Sequence, residues 1–211
     1  MNDKNLKGRR SVITGLGVAA AGVTLAATGA HAQTARSSSR GFQPARHDLD
    51  AWMDEMPGSH RIFVDTSTAG GAADGLLYAS NIYNAHVNAY SGETADLAMI
   101  VCFRHFSTAL GFNEAIWEKY GEGLERTMTA PRPANVTAFT NSVAASGAQI
   151  AICDNATQFF SRQLSATEDG SFDDIYEELR NGAIENSRFV SAGVMALTRA
   201  QEYGYSVLVA G

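Results

Sequence analysis

LAMIVCF, Leu97 to Phe103, decides the architecture. It is an unbroken apolar run of strand length, with no polar residue at alternate positions. A strand with one wet face alternates; a strand covered on both faces does not. The run therefore reads as a strand deep in a parallel sheet. Working outward, RIFVDTS (Arg61 to Ser67) and QIAICD (Gln149 to Asp154) read the same way. Arg188 to Ser191 and Tyr205 to Ala210 are shorter strand candidates.

Helical spacing fills the gaps. Leu76, Ala79, Tyr83, Val87 and Tyr90 fall on one face and Ser91-Gly92 stops the run. Phe112 to Tyr120 reads as a helix, and Gly121 to Pro133 as a loop. Val136, Phe139 and Val143 mark another helix, closed by Gly147. Asn155 to Leu164 continues the series. Ser171 caps a helix with Phe172, Ile175 and Leu179 inward, and Ala192 to Tyr203 is the last. Ahead of the first strand, Leu49, Trp52, Met53 and Met56 form a short helix with Asp48 as its cap. Strand and helix alternate throughout, which specifies an α/β fold with helices on both faces of the sheet.

The beginning differs. Arg9-Arg10 is a twin-arginine pair, followed by a Gly/Ala-rich apolar stretch and by Ala30-His31-Ala32, a small-x-small cleavage pattern. Basic head, apolar middle and small-residue end together read as a twin-arginine export signal over 1–32, with a periplasmic destination. Gly15, Gly17, Gly22, Thr24 and Thr28 interrupt the stretch, which suits a membrane span poorly. Residues 33–47 are polar and read as a flexible tether, leaving 48–211 as one domain. The chain carries a net charge of −6, and losing the basic leader makes it more acidic. That surface argues against nucleic acid, and against a membrane once processed, as partners.

Ligands of open parallel sheets bind beyond the carboxyl ends of the strands. Those ends are Asp65-Thr66-Ser67, Arg104-His105, Cys153-Asp154-Asn155 and Ser191-Ala192-Gly193. Cys153 stands where a strand becomes a helix, a position whose backbone N–H groups favour a thiolate; Arg104 or a protonated His105 nearby acts in the same direction, and the Asp154 carboxylate against it. Position alone leaves both a reactive thiol and a small buried apolar residue open. His105 reads equally as an acid/base or anion-binding group and as a loop histidine. Asp65 orients one of these or caps the next helix. Cys102 lies inside its apolar run and reads as packing, with a resolving-thiol role only if its strand neighbours that of Cys153. His60, His86 and His105 lack metal-ligand spacing, and nothing in the sequence calls for a metal or a cofactor.

Several stretches resemble one family. IAICDNAT (150–157) is similar to the strand–cysteine turn of DsrE/DsrF-like proteins, often V-C-G-N-T. VSAGVMALTRAQEYGYSVL (190–208) resembles their terminal pattern, V-P-A-G-V-x-x-L-x-R-x-Q-x-x-G-Y. HRIFVDTS (60–67) and FRHFSTALGFNEAIWEKYG (103–121) look like the exported branch. The resemblance implies a three-layer α/β/α sandwich with a five-stranded, mostly parallel sheet, and a homo-oligomer, trimer or hexamer. It implies sulfur relay as a cysteine persulfide, with the family cysteine at Cys153. Asp154 stands where glycine is common and Ser191 where proline is. On this expectation Cys153 and His105 are catalytic; Arg104, Asp65, Asn155 and Ser191 bind substrate, Asn155 through its backbone N–H and amide. The partner is a sulfur donor or acceptor protein, or a small sulfane-sulfur compound. The alternative is a non-catalytic oligomeric module that binds a small ligand or a protein on the same rim, and a third reading is a redox sensor using both cysteines.

Overall fold

The computed structural model describes residues 43–211. The stretch read as an export signal, 1–32, and most of the stretch read as a tether lie outside the described residues. Five strands form one sheet: β1 (His60–Thr66), β2 (Leu97–Phe103), β3 (Gln149–Cys153), β4 (Ser187–Val190) and β5 (Ser206–Ala210). Their order is β4-β3-β2-β1-β5 and every pairing is parallel. All seven residues of β2 are buried, as an unbroken apolar run at an inner position requires.

Among the described residues seven α-helices cover the sheet: α1 (Trp52–Glu55), α2 (Ala69–Tyr90), α3 (Glu114–Met128), α4 (Val136–Ala145), α5 (Asp154–Ser165), α6 (Phe172–Asn181) and α7 (Gly193–Glu202). Alternate strand residues separate two cores. Val64, Val101, Phe103 and Ile152 face α2 to α6. Phe63, Ile100, Cys102 and Ala151 face α1 and α7. The result is a three-layer α/β/α sandwich. Steps β1 to β4 march one way across the sheet, so their right-handed crossovers share a face. The return from β4 to β5 runs the other way and puts α7 on the opposite face. Among the described residues no helix is long and apolar enough to cross a membrane.

Local expectations hold where a side chain does the capping. Ser171 Oγ accepts the Asp174 N–H and Asp174 reaches back, a capping box at α6. Others need correction. The stretch read as a loop from Gly121 is helical to Met128. Gly123 is a contact site rather than a breaker: a Cβ there would meet Leu164 Cδ2 at 2.5 Å. Asp48 opens a 3-10 turn (Asp48–Asp50) and caps nothing, while Leu49 is exposed. Val87 and Tyr90 are exposed too.

Candidate active site

The loops after β3 and β4 part company. β3 runs into α5 on one face of the sheet, whereas β4 feeds α7 on the other. Adjacent strands whose continuations diverge leave a crevice at their carboxyl ends, and ligands of open α/β sheets sit in such crevices. Cys153 is the last residue of β3, and Gly193 opens α7 after β4, with Ser191 and Ala192 between.

Cys153 points to the α7 side, as the alternation from Ala151 dictates. It stands at the N-cap position of α5 but makes no side-chain cap there. Its Sγ instead accepts the Gly193 N–H at 3.2 Å. The expectation that the start of α5 would serve the sulfur is thus corrected: the N-terminus of α7 does. The Ala192 side chain leaves that N-terminus uncapped, so the sulfur takes one of its orphan donors. Cys153 is 7% exposed, and that remnant opens into a cavity of about 320 Å³. Arg104, His105 and Asn155 supply the polar part of the lining. Phe106, Ala156, Phe159, Ala192 and Val194 make the rest apolar.

Arg104 follows β2 on the same face. Its Nε and Nη2 donate to the two carboxylate oxygens of Asp65, each at 2.7 Å. Asp65 is buried in β1, directly opposite Cys102. The bond pushes the Arg104 guanidinium further above its already high range and fixes its plane. The turn beneath is tied down as well. Ser107 Oγ donates to the carbonyl of Thr66 or Arg104, and the Phe106 and Ser107 N–H groups donate to the Ser67 carbonyl. Within that turn His105 takes φ +54, a left-handed conformation. Arg104 passes so close to α7 that a Cβ on residue 193 would lie 2.5 Å from Arg104 Cβ.

The sequence-derived residues divide. Cys153, Arg104, His105 and Asn155 share the cavity. Asp65 lies behind Arg104 rather than in the lining, so it positions that side chain. The Asn155 N–H, expected to face a ligand, is already donated to the Ser191 carbonyl. Ser191 contributes that carbonyl, and its side chain is absent from the lining. Asp154 turns away from the sulfur, as strand alternation requires, and accepts from Tyr176 Oη and Arg180 Nη1 on the α6 side.

Cys102 is fully buried on the same face as Cys153. Burial first, then the Asp65 and Cys153 charges, push its thiol well above the usual range. The strands are neighbours, but Cys102 pairs with Ala151, so the two Cα atoms are offset by two residues along the strands. That puts them about 8 Å apart, beyond disulfide reach. Sequence reasoning put Gly193 on the rim without giving it a role, since it acts through its backbone, and missed the apolar walls. A glycine at a helix start, three residues beyond a strand end, is the signal for the first. The i, i+4 pair Asn155 and Phe159 on one face of α5 is the signal for the second.

No protein-family model matches the chain, and no curated protein sequence matches it.

Proposed function

We propose that this chain is an exported member of the DsrE/DsrF-like family that relays sulfur through Cys153. The observation that carries the reading is the Gly193 N–H on Cys153 Sγ at the mouth of a cavity also lined by Arg104. A backbone donor and a guanidinium close to one sulfur meet negative charge that builds there. Cys153 attacks the outer sulfur of a persulfide. A bond forms between the two sulfurs, the donor's own S–S bond breaks, and the electron pair leaves on the donor as a thiolate. An acceptor thiolate then takes the outer sulfur by the same exchange, so no oxidant or reductant is consumed. His105, exposed at the rim, holds or supplies a proton for the departing thiolate.

In this reading the leader directs the protein to the periplasm and the domain works as a homotrimer or hexamer. Mass spectrometry of the 33–211 form after treatment with a persulfide donor tests the assignment: one sulfur atom is gained by the parent and none by Cys153→Ser. Equal gain by the variant refutes it.

The low exposure of Cys153 favours one other reading, a non-catalytic module whose cavity holds a small ligand or partner segment over a packed thiol. A Cys153 that resists a small thiol reagent until the chain is unfolded selects that reading.

A further inference from the structure

We infer that the donor loading Cys153 is a persulfide monoanion carried on an apolar body, and not a compact dianion such as thiosulfate. This rests on the sulfur-relay reading of the site and concerns its substrate class.

The charge arrangement is the first ground. Arg104 is the guanidinium lining the cavity, and a buried carboxylate 2.7 Å away already balances its charge. Nε and one Nη2 hydrogen go to Asp65, which leaves both Nη1 hydrogens and the other Nη2 hydrogen to the cavity side. With the guanidinium charge balanced by Asp65 and the Gly193 N–H given to Cys153 Sγ, the site is matched to one anionic atom. Two full charges on a sulfonate-type head call for positive charge that is not already balanced, and stripping their water without it is costly.

Two of the candidate anion-binding groups do not serve the cavity. The Asn155 N–H goes to Ser191, and the Ser191 hydroxyl is outside the lining. Apart from the His105 ring and the Asn155 side-chain amide, the wall is Phe106, Phe159, Ala156, Ala192 and Val194. Phe159 and Val194 are exposed apolar side chains at 40% and 56%, so the apolar surface continues from the cavity to its lip. A small organic group occupying this space removes apolar surface from water on both partners. The volume, about 320 Å³, lies at the lower end for small-ligand sites.

In the step itself, Cys153 Sγ bonds to the outer sulfur of R–S–S⁻. The donor's own S–S bond breaks, and its electron pair leaves on the inner sulfur as R–S⁻. Two negative charges enter and two leave. The apolar R group rests against Phe159 and Phe106 while the outer sulfur meets Arg104 Nη1.

The experiment loads the 33–211 form with benzyl persulfide, glutathione persulfide or thiosulfate, and follows sulfur gain at Cys153 by mass spectrometry. Each rate is divided by the rate at which the same donor loads a free small thiol, which removes intrinsic reactivity. The corrected rate for benzyl persulfide is expected to exceed the other two by about tenfold or more, the range an apolar pocket supplies. Phe159→Lys, at an exposed position, is expected to erase most of that preference. Thiosulfate or glutathione persulfide loading as well as the benzyl donor overturns the inference and leaves the relay standing. A preference that survives Phe159→Lys unchanged overturns the role given to the apolar wall. Loading from none of the donors removes the relay and this inference together.

Discussion

The Gly193 N–H donates to Cys153 Sγ across the crevice between β3 and β4, at 3.2 Å. Two helices leave that crevice on opposite faces of the sheet, and the sulfur belongs to the start of one while bonding the start of the other. The closeness depends on residue 193 having no side chain, because a Cβ would lie 2.5 Å from Arg104 Cβ.

Gly193→Ala therefore strains the site from its backbone side. Either α7 or Arg104 must move. Overpacking of this kind costs about 1–3 kcal/mol, visible as a lower urea midpoint. Displacing the N–H and guanidinium together is expected to slow sulfur loading by about tenfold or more. Unchanged loading kinetics would mean that the N–H contact has no part in the chemistry.

Arg104 and Asp65 should behave as one unit. Arg104→Met leaves a carboxylate buried at 3% exposure without its partner. Breaking a fully buried pair costs about 3–5 kcal/mol; with Arg104 about a quarter exposed, roughly 2–3 kcal/mol is expected. Asp65→Asn in the same chain should restore most of that loss without restoring sulfur loading. A double variant no more stable than Arg104→Met would contradict the pairing.

How much of this was legible beforehand depends on what carries the information. β2 was readable to the residue, because a strand buried on both faces leaves no polar interruption. The rim residues followed from strand ends alone. Strand order did not: β5 beside β1 is a tertiary choice, and it is what sends α7 to the far face. Glycine misled in both directions. Gly121 and Gly123 read as loop, yet Gly123 lets α3 approach Leu164 of α5. Gly193 carried no side-chain chemistry to notice, yet supplies the donor. Asp154 looked like a threat to the thiolate from adjacency in sequence, whereas a strand sends successive side chains to opposite faces and Arg180 neutralises it there.

The two thiols should differ sharply. Cys102 has no exposed surface, and burial pushes its thiol well up, so it stays protonated. A small thiol reagent is expected to modify one cysteine in the native protein and two in urea, with Cys153→Ser native protein inert. Mild oxidation should leave both thiols unpaired, since the register holds them about 8 Å apart. A disulfide between them would require β2 and β3 to slip and would favour the redox-sensor reading.

Tyr83 gives a pH test remote from the site. Its hydroxyl is buried in the core under α2 with no hydrogen-bond partner among the described residues. Burial pushes its pKa up to about 12, against an ordinary value of 10.0. The folded state thus holds the phenolic proton more tightly than the unfolded chain does. The contribution is complete below the unfolded value and is lost as pH climbs from there through the folded one. Tyr83→Phe removes both the titration and the unsatisfied hydroxyl. At neutral pH the variant is expected to be more stable by about 1 kcal/mol. Its advantage should widen between the two pKa values, where the parent begins to favour the unfolded, ionised phenol. Cys102 and Tyr205 also destabilise the fold in alkali, but they are common to both proteins and cancel in the comparison. Urea midpoints of parent and variant, at neutral pH and at about pH 11, measure the difference. A gap that stays constant or narrows with pH would place the Tyr83 hydroxyl in contact with water or a partner rather than in the dry core.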